Sequence, residues 1–128
     1  MVSLVSNGIK VSVETFYQES QSNPIANQYI FAYRITIENL NHFTIKLLSR
    51  LWYIFDSNNE HKEVEGEGVV GLQPFINPHY SFQYVSACHL TTEMGRMEGY
   101  YWFENQNDMS RFEVKIPAFE MFAPLKLN

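Results

Sequence analysis

Gly66, Gly68 and Gly71 spell G-x-G-x-x-G, the pattern of a turn whose backbone amides cradle a pyrophosphate. That chemistry needs a strand before the turn and a long helix after it, because the helix N-terminus supplies the unpaired N–H groups. Here the last glycine is followed by Leu72-Gln73-Pro74-Phe75-Ile76-Asn77-Pro78. Two prolines so close forbid an ordinary helix interior, and each biases the residue before it towards extended backbone. Glu65 and Glu67 put negative charge where a phosphate would sit. The run is better explained as glycines that let a β-chain bend, bulge and cross between sheets. An anion-binding loop at Gly66, Gly68 and Gly71 is the alternative reading.

Metal chemistry would draw on His61, Glu63, Glu65 and Glu67, which alternate with Lys62 and Val64 and so share one face of a short strand. Alternate strand positions lie about 6.6 Å apart. That is too wide for one tight site, although neighbouring acids, with Glu63 and Glu67 the ones to test, could share a hydrated divalent cation. The competing reading is a solvated charged face that protects a sheet edge. Cys88 and His89 are adjacent, hence on opposite faces of a strand, and make a poor joint ligand set. Ser49, Ser86 and Cys88 are possible nucleophiles, but no nucleophile-elbow pattern places a base beside any of them. The sequence therefore calls for no enzyme activity, no catalytic residue and no cofactor.

Aromatic residues carry a better signal. Tyr53, Tyr100 and Trp102, with Tyr80, have parities that put them outside the expected core. Half-exposed Tyr and Trp are favoured anchors for protein partners, although simple cross-strand packing would also place them there.

Positioning such residues falls to strands. Ten Phe, eight Tyr and two Trp in 128 residues suit pleated sheets. Ile9 to Tyr17 alternates with period two, Tyr29 to Ile37 does the same, and the polar stretch Gln18 to Asn27 loops between them. Ile45 to Asp56 is apolar on both parities, as a central strand would be. Within it Arg50 has the parity of Trp52, so it must sit at a rim or find partners, since burying an unpaired guanidinium is costly. Ser57-Asn58-Asn59 and Asn105 to Asp108 read as turns. Ser81 to Ala87, Met97 to Glu104, and Phe112 to Ile116 closed by Pro117 read as further strands. The apolar tail, with Phe119, Phe122 and Leu125, is expected to lie across a sheet edge. Seven or eight strands with short turns and no helical period predict one all-β domain over residues 1–128. Its expected form is an antiparallel β-sandwich of the immunoglobulin or fibronectin type III kind.

Composition narrows the partners. The net charge is −5 and only nine Lys and Arg are spread along the chain, which disfavours nucleic acid and anionic membrane surfaces. No apolar run approaches the roughly 20 residues that span a bilayer. A single cysteine, and no basic segment leading into an apolar one at the N-terminus, fit a cytoplasmic protein. Monomer and homodimer both stay open.

With these segments placed, the chain resembles the ApaG family, the DUF525 domain. The resemblance rests on Tyr29-x-Phe31-Ala32-Tyr33-x-Ile35-Thr36-Ile37-x-Asn39 and on Leu47-Leu48-Ser49-Arg50-x-Trp52-x-Ile54-x-Asp56. Its most specific run is Val64-x-Gly66-x-Gly68-Val69-Val70-Gly71-x-Gln73-Pro74. Met97-x-Gly99-x-Tyr101, Phe112 and Ile116-Pro117-x-Phe119 complete it. The match runs from about Gly8 to Phe119. The resemblance implies a fibronectin-III-like sandwich with no established reaction. The family occurs as stand-alone bacterial proteins and as an appended module in eukaryotic ones, including an F-box protein and a partner of a DNA polymerase. It also implies associations with cobalt tolerance and magnesium efflux, and with a gene for diadenosine-tetraphosphate hydrolysis. Four positions depart from the family pattern: Leu51 replaces a common His, His79 a Gly, Glu93 a Pro, and Val85-Ser86-Ala87 the usual Thr-Ser-Gly. The reading taken forward is a non-enzymatic interaction or regulatory module with an unidentified protein partner and a link by family to divalent cations.

Overall fold

The structure, a computed structural model, describes residues 1–124. Two antiparallel sheets face each other. The first has the order β1-β2-β3-β7, built from Val2–Ser6, Ile9–Tyr17, Tyr29–Asn39 and Ser81–Leu90. The second has the order β5-β4-β8-β9, built from His61–Glu67, Ile45–Asp56, Met94–Asn105 and Arg111–Phe122. The two-residue β6, Phe75–Ile76, pairs with the start of β4. The architecture is the expected antiparallel β-sandwich, and no α-helix occurs among the described residues.

Among the described residues nine strands replace the seven or eight expected. β1 was outside the sequence reading, yet its signal is plain: Asn7-Gly8 sits between apolar runs, both residues have positive φ, and Ser6 pairs with Ile9. That is the hairpin turn whose twist matches the strands it joins. The last strand is also longer than expected. Pro117 does not close it; the ladder shifts register between Met97 and Gly99 of β8, and a bulge is where a proline fits in a sheet. Phe119 and Met121 then continue into the core, and Phe122 still pairs with Met94. Leu125 lies outside the described residues.

The core is aromatic. Trp52 packs edge-on against Tyr33, Phe119 and Tyr101 at centroid separations of 5.6, 5.9 and 6.5 Å. The Tyr84 and Tyr101 hydroxyls hydrogen-bond each other inside it, which satisfies two phenols that burial keeps neutral by raising their pKa values. Asn39 is the buried polar residue: its amide donates to Phe43 O and Ile76 O and its oxygen accepts from Asn41 N, fixing the turn after β3 and the place of β6.

Asp56 ends β4 and holds the β7–β8 turn. It accepts from Thr91 N, Thr91 Oγ1, Thr92 N and Thr92 Oγ1. Partial burial works to raise its pKa, but those four bonds outweigh it and hold the carboxyl below its ordinary value. A carboxylate depressed in the folded state contributes stability that is complete above the ordinary Asp value, about 4. That contribution is lost as pH falls through the lower folded value. Asp56→Asn is therefore expected to cost about 2 kcal/mol at pH 7 and to flatten the acid limb of stability. Urea midpoints at pH 7 and pH 3 check both.

Candidate functional site

The glycine run is the exit of β5 and a tight hairpin. Gly68 has φ +61, Val70 +45 and Gly71 +79, and Val69 bridges Leu72. A two-residue loop with both central residues at positive φ is the type I′ pattern, where Asn-Gly is favoured. Here a β-branched Val takes the first position, which stores strain. Donors are largely engaged: Gly68 N donates to Leu48 O, Val69 N to Leu72 O and Leu72 N to Val69 O. Gln73 Nε2 also donates to Leu48 O. Outward donors are therefore few, and the carbonyls serve a cation instead. Arg50 Nη1 donates to Glu67 O at 3.0 Å and to Gly68 O at 2.9 Å.

Arg50 does sit at a rim, on the inner face beside Trp52. Its neighbours Tyr33, Tyr84, Ser86, Val69 and Val70 line a cleft of about 150 Å³ open to one side of the sandwich. Tyr33 is mostly buried, which pushes its pKa up, although a hydrogen bond with Ser86 works the other way. Cys88 lies deeper along the same side, buried; loss of solvent pushes its thiol up to about 11 despite nearby Lys62. A neutral thiol is a poor nucleophile.

The opposite face of the second sheet carries the expected aromatics together. Trp102 is 41% exposed, while Tyr53 and Tyr100 are half-buried. Leu51 pairs with Tyr100 and Ser49 with Trp102, so the aromatics form a strip across β4 and β8 that no other element of the described fold covers. A shallow depression of about 470 Å³ adjoins Trp102, lined by Leu48, Ser49, Glu67, Gln73 and Arg111. Tyr80 is 67% exposed in the turn before β7, away from the strip.

His61, Glu63, Glu65 and Glu67 all project to that same outer side, since they pair with Phe55, Tyr53, Leu51 and Ser49. Glu63 and Glu67 stand about 13 Å apart along the strand, from its rise per residue, so they cannot share an ion directly. Among the described residues no group of three or more His, Cys, Asp or Glu could hold a metal.

The family model described as DUF525: ApaG domain matches residues 19–105. The Protein ApaG of Brucella abortus (strain S19) is 48% identical over 124 residues, 97% of this chain and 95% of the relative. The chain belongs to the ApaG family. The Protein ApaG of Brucella anthropi is 51% identical over the same shares of the two chains. The crystal structure assigned as an ApaA protein from Bordetella pertussis superposes with a TM-score of 0.87 at 39% identity, covering 92% of this chain and 95% of that one.

Two departures from the ApaG pattern now have a physical account. His79 occupies the left-handed region at φ +65, where the family's Gly is at ease. Its N–H donates to Asn39 O, which secures the turn. Leu51, in place of the family's common His, widens the apolar strip against Tyr100. The sequence reading missed the open cleft beside Arg50. Only the parity of Arg50 pointed towards it; its walls come from β3, β4, β7 and the Val69–Gly71 hairpin, which local pattern does not bring together.

Proposed function

We propose that this ApaG chain is a non-enzymatic protein-interaction module whose binding face is the outer surface of β4 and β8. One observation carries the reading: Tyr53, Tyr100 and Trp102 share a sheet face that nothing in the described fold covers. Large rigid side chains that bury much area at small entropic cost are the usual anchors of protein interfaces. The acidic row Glu63, Glu65 and Glu67 flanks the strip on one side, and on the other Lys115 and Glu113 stand opposite Tyr100 and Trp102 while Arg111 pairs with Glu104.

Truncating Trp102 and Tyr100 to alanine should leave folding within about 1 kcal/mol of the parent, since surface changes rarely do more. Partners captured by the parent from cell extract should be lost by the double variant. They should be kept by a control carrying Ser12→Ala on β2 of the other sheet. Equal capture by both variants would remove the strip from the account. The link to cobalt or magnesium rests on the family association; a cation contact at Glu63 or Glu67 predicts that Glu63→Ala and Glu67→Ala weaken cobalt binding in calorimetry. Phosphate or nucleotide binding at Gly66, Gly68 and Gly71 is the second reading. What favours it is the pair Val70 and Gly71, whose amides have no intramolecular acceptor among the described residues.

A further inference from the structure

A sheet edge presents unpaired N–H and C=O groups to any strand that reaches it, and natural proteins blunt such edges with charge, proline, bulges or cover. This sandwich has four edges. β1 and β9 cover one another: Asn7 Nδ2 donates to Glu113 O at 2.6 Å and Lys115 N to Ser6 Oγ at 3.1 Å. β5 carries Lys62, Glu63, Glu65 and Glu67 in seven residues. β7 is different. Its ten residues, Ser81–Leu90, include no Asp, Glu, Lys, Arg or Pro, and its ladder to β3 runs unbroken from Tyr29 opposite Leu90 to Glu38 opposite Ser81. No hydrogen bond among the described residues joins it to β5 across the open side of the sandwich.

The wall facing that bare edge carries two cations, with the carboxylates of Asp56 and Glu60 lining the same cavity at the Lys62 end. Arg50 and Lys62 project from the inner face of the second sheet, since they pair with Gly66 and Ile54 on the parity of Trp52 and Val64. Neither has a carboxylate within ion-pairing distance among the described residues. Arg50 is level with Gly66, so the two cations stand four strand positions apart, about 13 Å. That is too far for one phosphate group to meet both. It is the distance between side chains i and i+4 on one face of an extended segment. Val64, 37% exposed, and the buried Cys88 lie between them.

We propose that β7 is a docking edge for an extended acidic segment of a partner protein. The segment adds as a fifth strand and places carboxylates at i and i+4 towards Arg50 and Lys62, with an apolar residue at i+2 over Val64. Main-chain bonds to β7 give affinity and the two charges give register. A second copy of this chain fits less well, because its own β7 brings no carboxylate to the two cations. The proposal is independent of the aromatic strip, which lies on the far side of the other sheet.

The test uses the full chain, labelled with ¹⁵N, and the capped peptide Thr-Glu-Thr-Val-Thr-Glu-Thr, with the same peptide carrying Lys for Glu as control. Amide shifts and slowed hydrogen exchange along Ser81–Leu90 are expected with the acidic peptide and not with the basic one. Lys62→Glu, an exposed change that leaves the fold alone, should weaken binding about tenfold through like-charge contact. Arg50→Gln should weaken it as well. The proposal is overturned if millimolar acidic peptide leaves β7 unshifted, if both peptides act alike, or if Lys62→Glu binds as the parent does. Sedimentation velocity showing a dimer whose β7 amides are already protected would also overturn it, since the edge would then belong to a second copy.

Discussion

Trp52→Ala is expected to lower stability by about 3–5 kcal/mol, the usual cost of emptying a large aromatic site in a core. Trp52 is 2% exposed and stands at the centre of the facing sheets, where Tyr33, Tyr101 and Phe119 all present rings to it. These rings come from β3, β8 and β9, so no single neighbour can swing in to fill the void. Gly99 lies opposite Trp52 in the ladder and cannot help. A Cβ there would come within 2.0 Å of Leu51 O, so the backbone is already as close as it can be. Since whole-domain stability is typically 5–15 kcal/mol, the variant would be near its unfolding threshold at 37 °C. The check is a urea titration followed by circular dichroism, with the slope expected to stay unchanged and the midpoint to fall. A loss below about 1 kcal/mol would mean the site collapses or hydrates, contrary to the close packing argued here.

Alanine at the three glycines should give three different answers. Gly68→Ala is expected to cost about 3 kcal/mol or more. It adds the strain of a left-handed residue, about 1–2 kcal/mol, to a Cβ placed 2.1 Å from Leu72 O, a backbone atom of the hairpin itself. Gly71→Ala meets nothing within 4 Å, so only the conformational cost at φ +79 remains, about 1–2 kcal/mol. Gly66→Ala would touch Arg50 Nη1 at 2.8 Å, the far end of a long side chain that can move. Its cost should be small in stability but visible in the Arg50 contacts to Glu67 O and Gly68 O. Urea midpoints of the three variants give the ranking. Equal costs for Gly68 and Gly71 would contradict the view that the hairpin is closed by a backbone approach only glycine permits.

How much of this the chain announces varies by level. The long strands were legible because their alternation is local: Val11, Val13, Ile35 and Ile37 point inward, and both faces of β4 are apolar as a central strand requires. The prolines after Gly71 ruled out a helix there, and the structure has a hairpin and then β6. β1 was missed although Asn7-Gly8 signals it, since five exposed or half-exposed residues show little burial pattern. The continuation through Pro117 was missed because the ladder slips at a bulge, which depends on the neighbouring strand and not on the residue itself. The aromatic strip followed from parity. The cationic seam did not, because it depends on which strands end as sheet edges, and that order is set by packing over the whole domain.

The account's central claim is that Gly66 to Gly71 is a strand hairpin clasped by Arg50 and not a cradle for phosphate. Amide spectra recorded during titration with ATP, pyrophosphate and diadenosine tetraphosphate, at physiological ionic strength, test it directly. The amides of Gly66, Gly68 and Gly71 should stay where they are. Saturable shifts centred on those three glycines would contradict the claim.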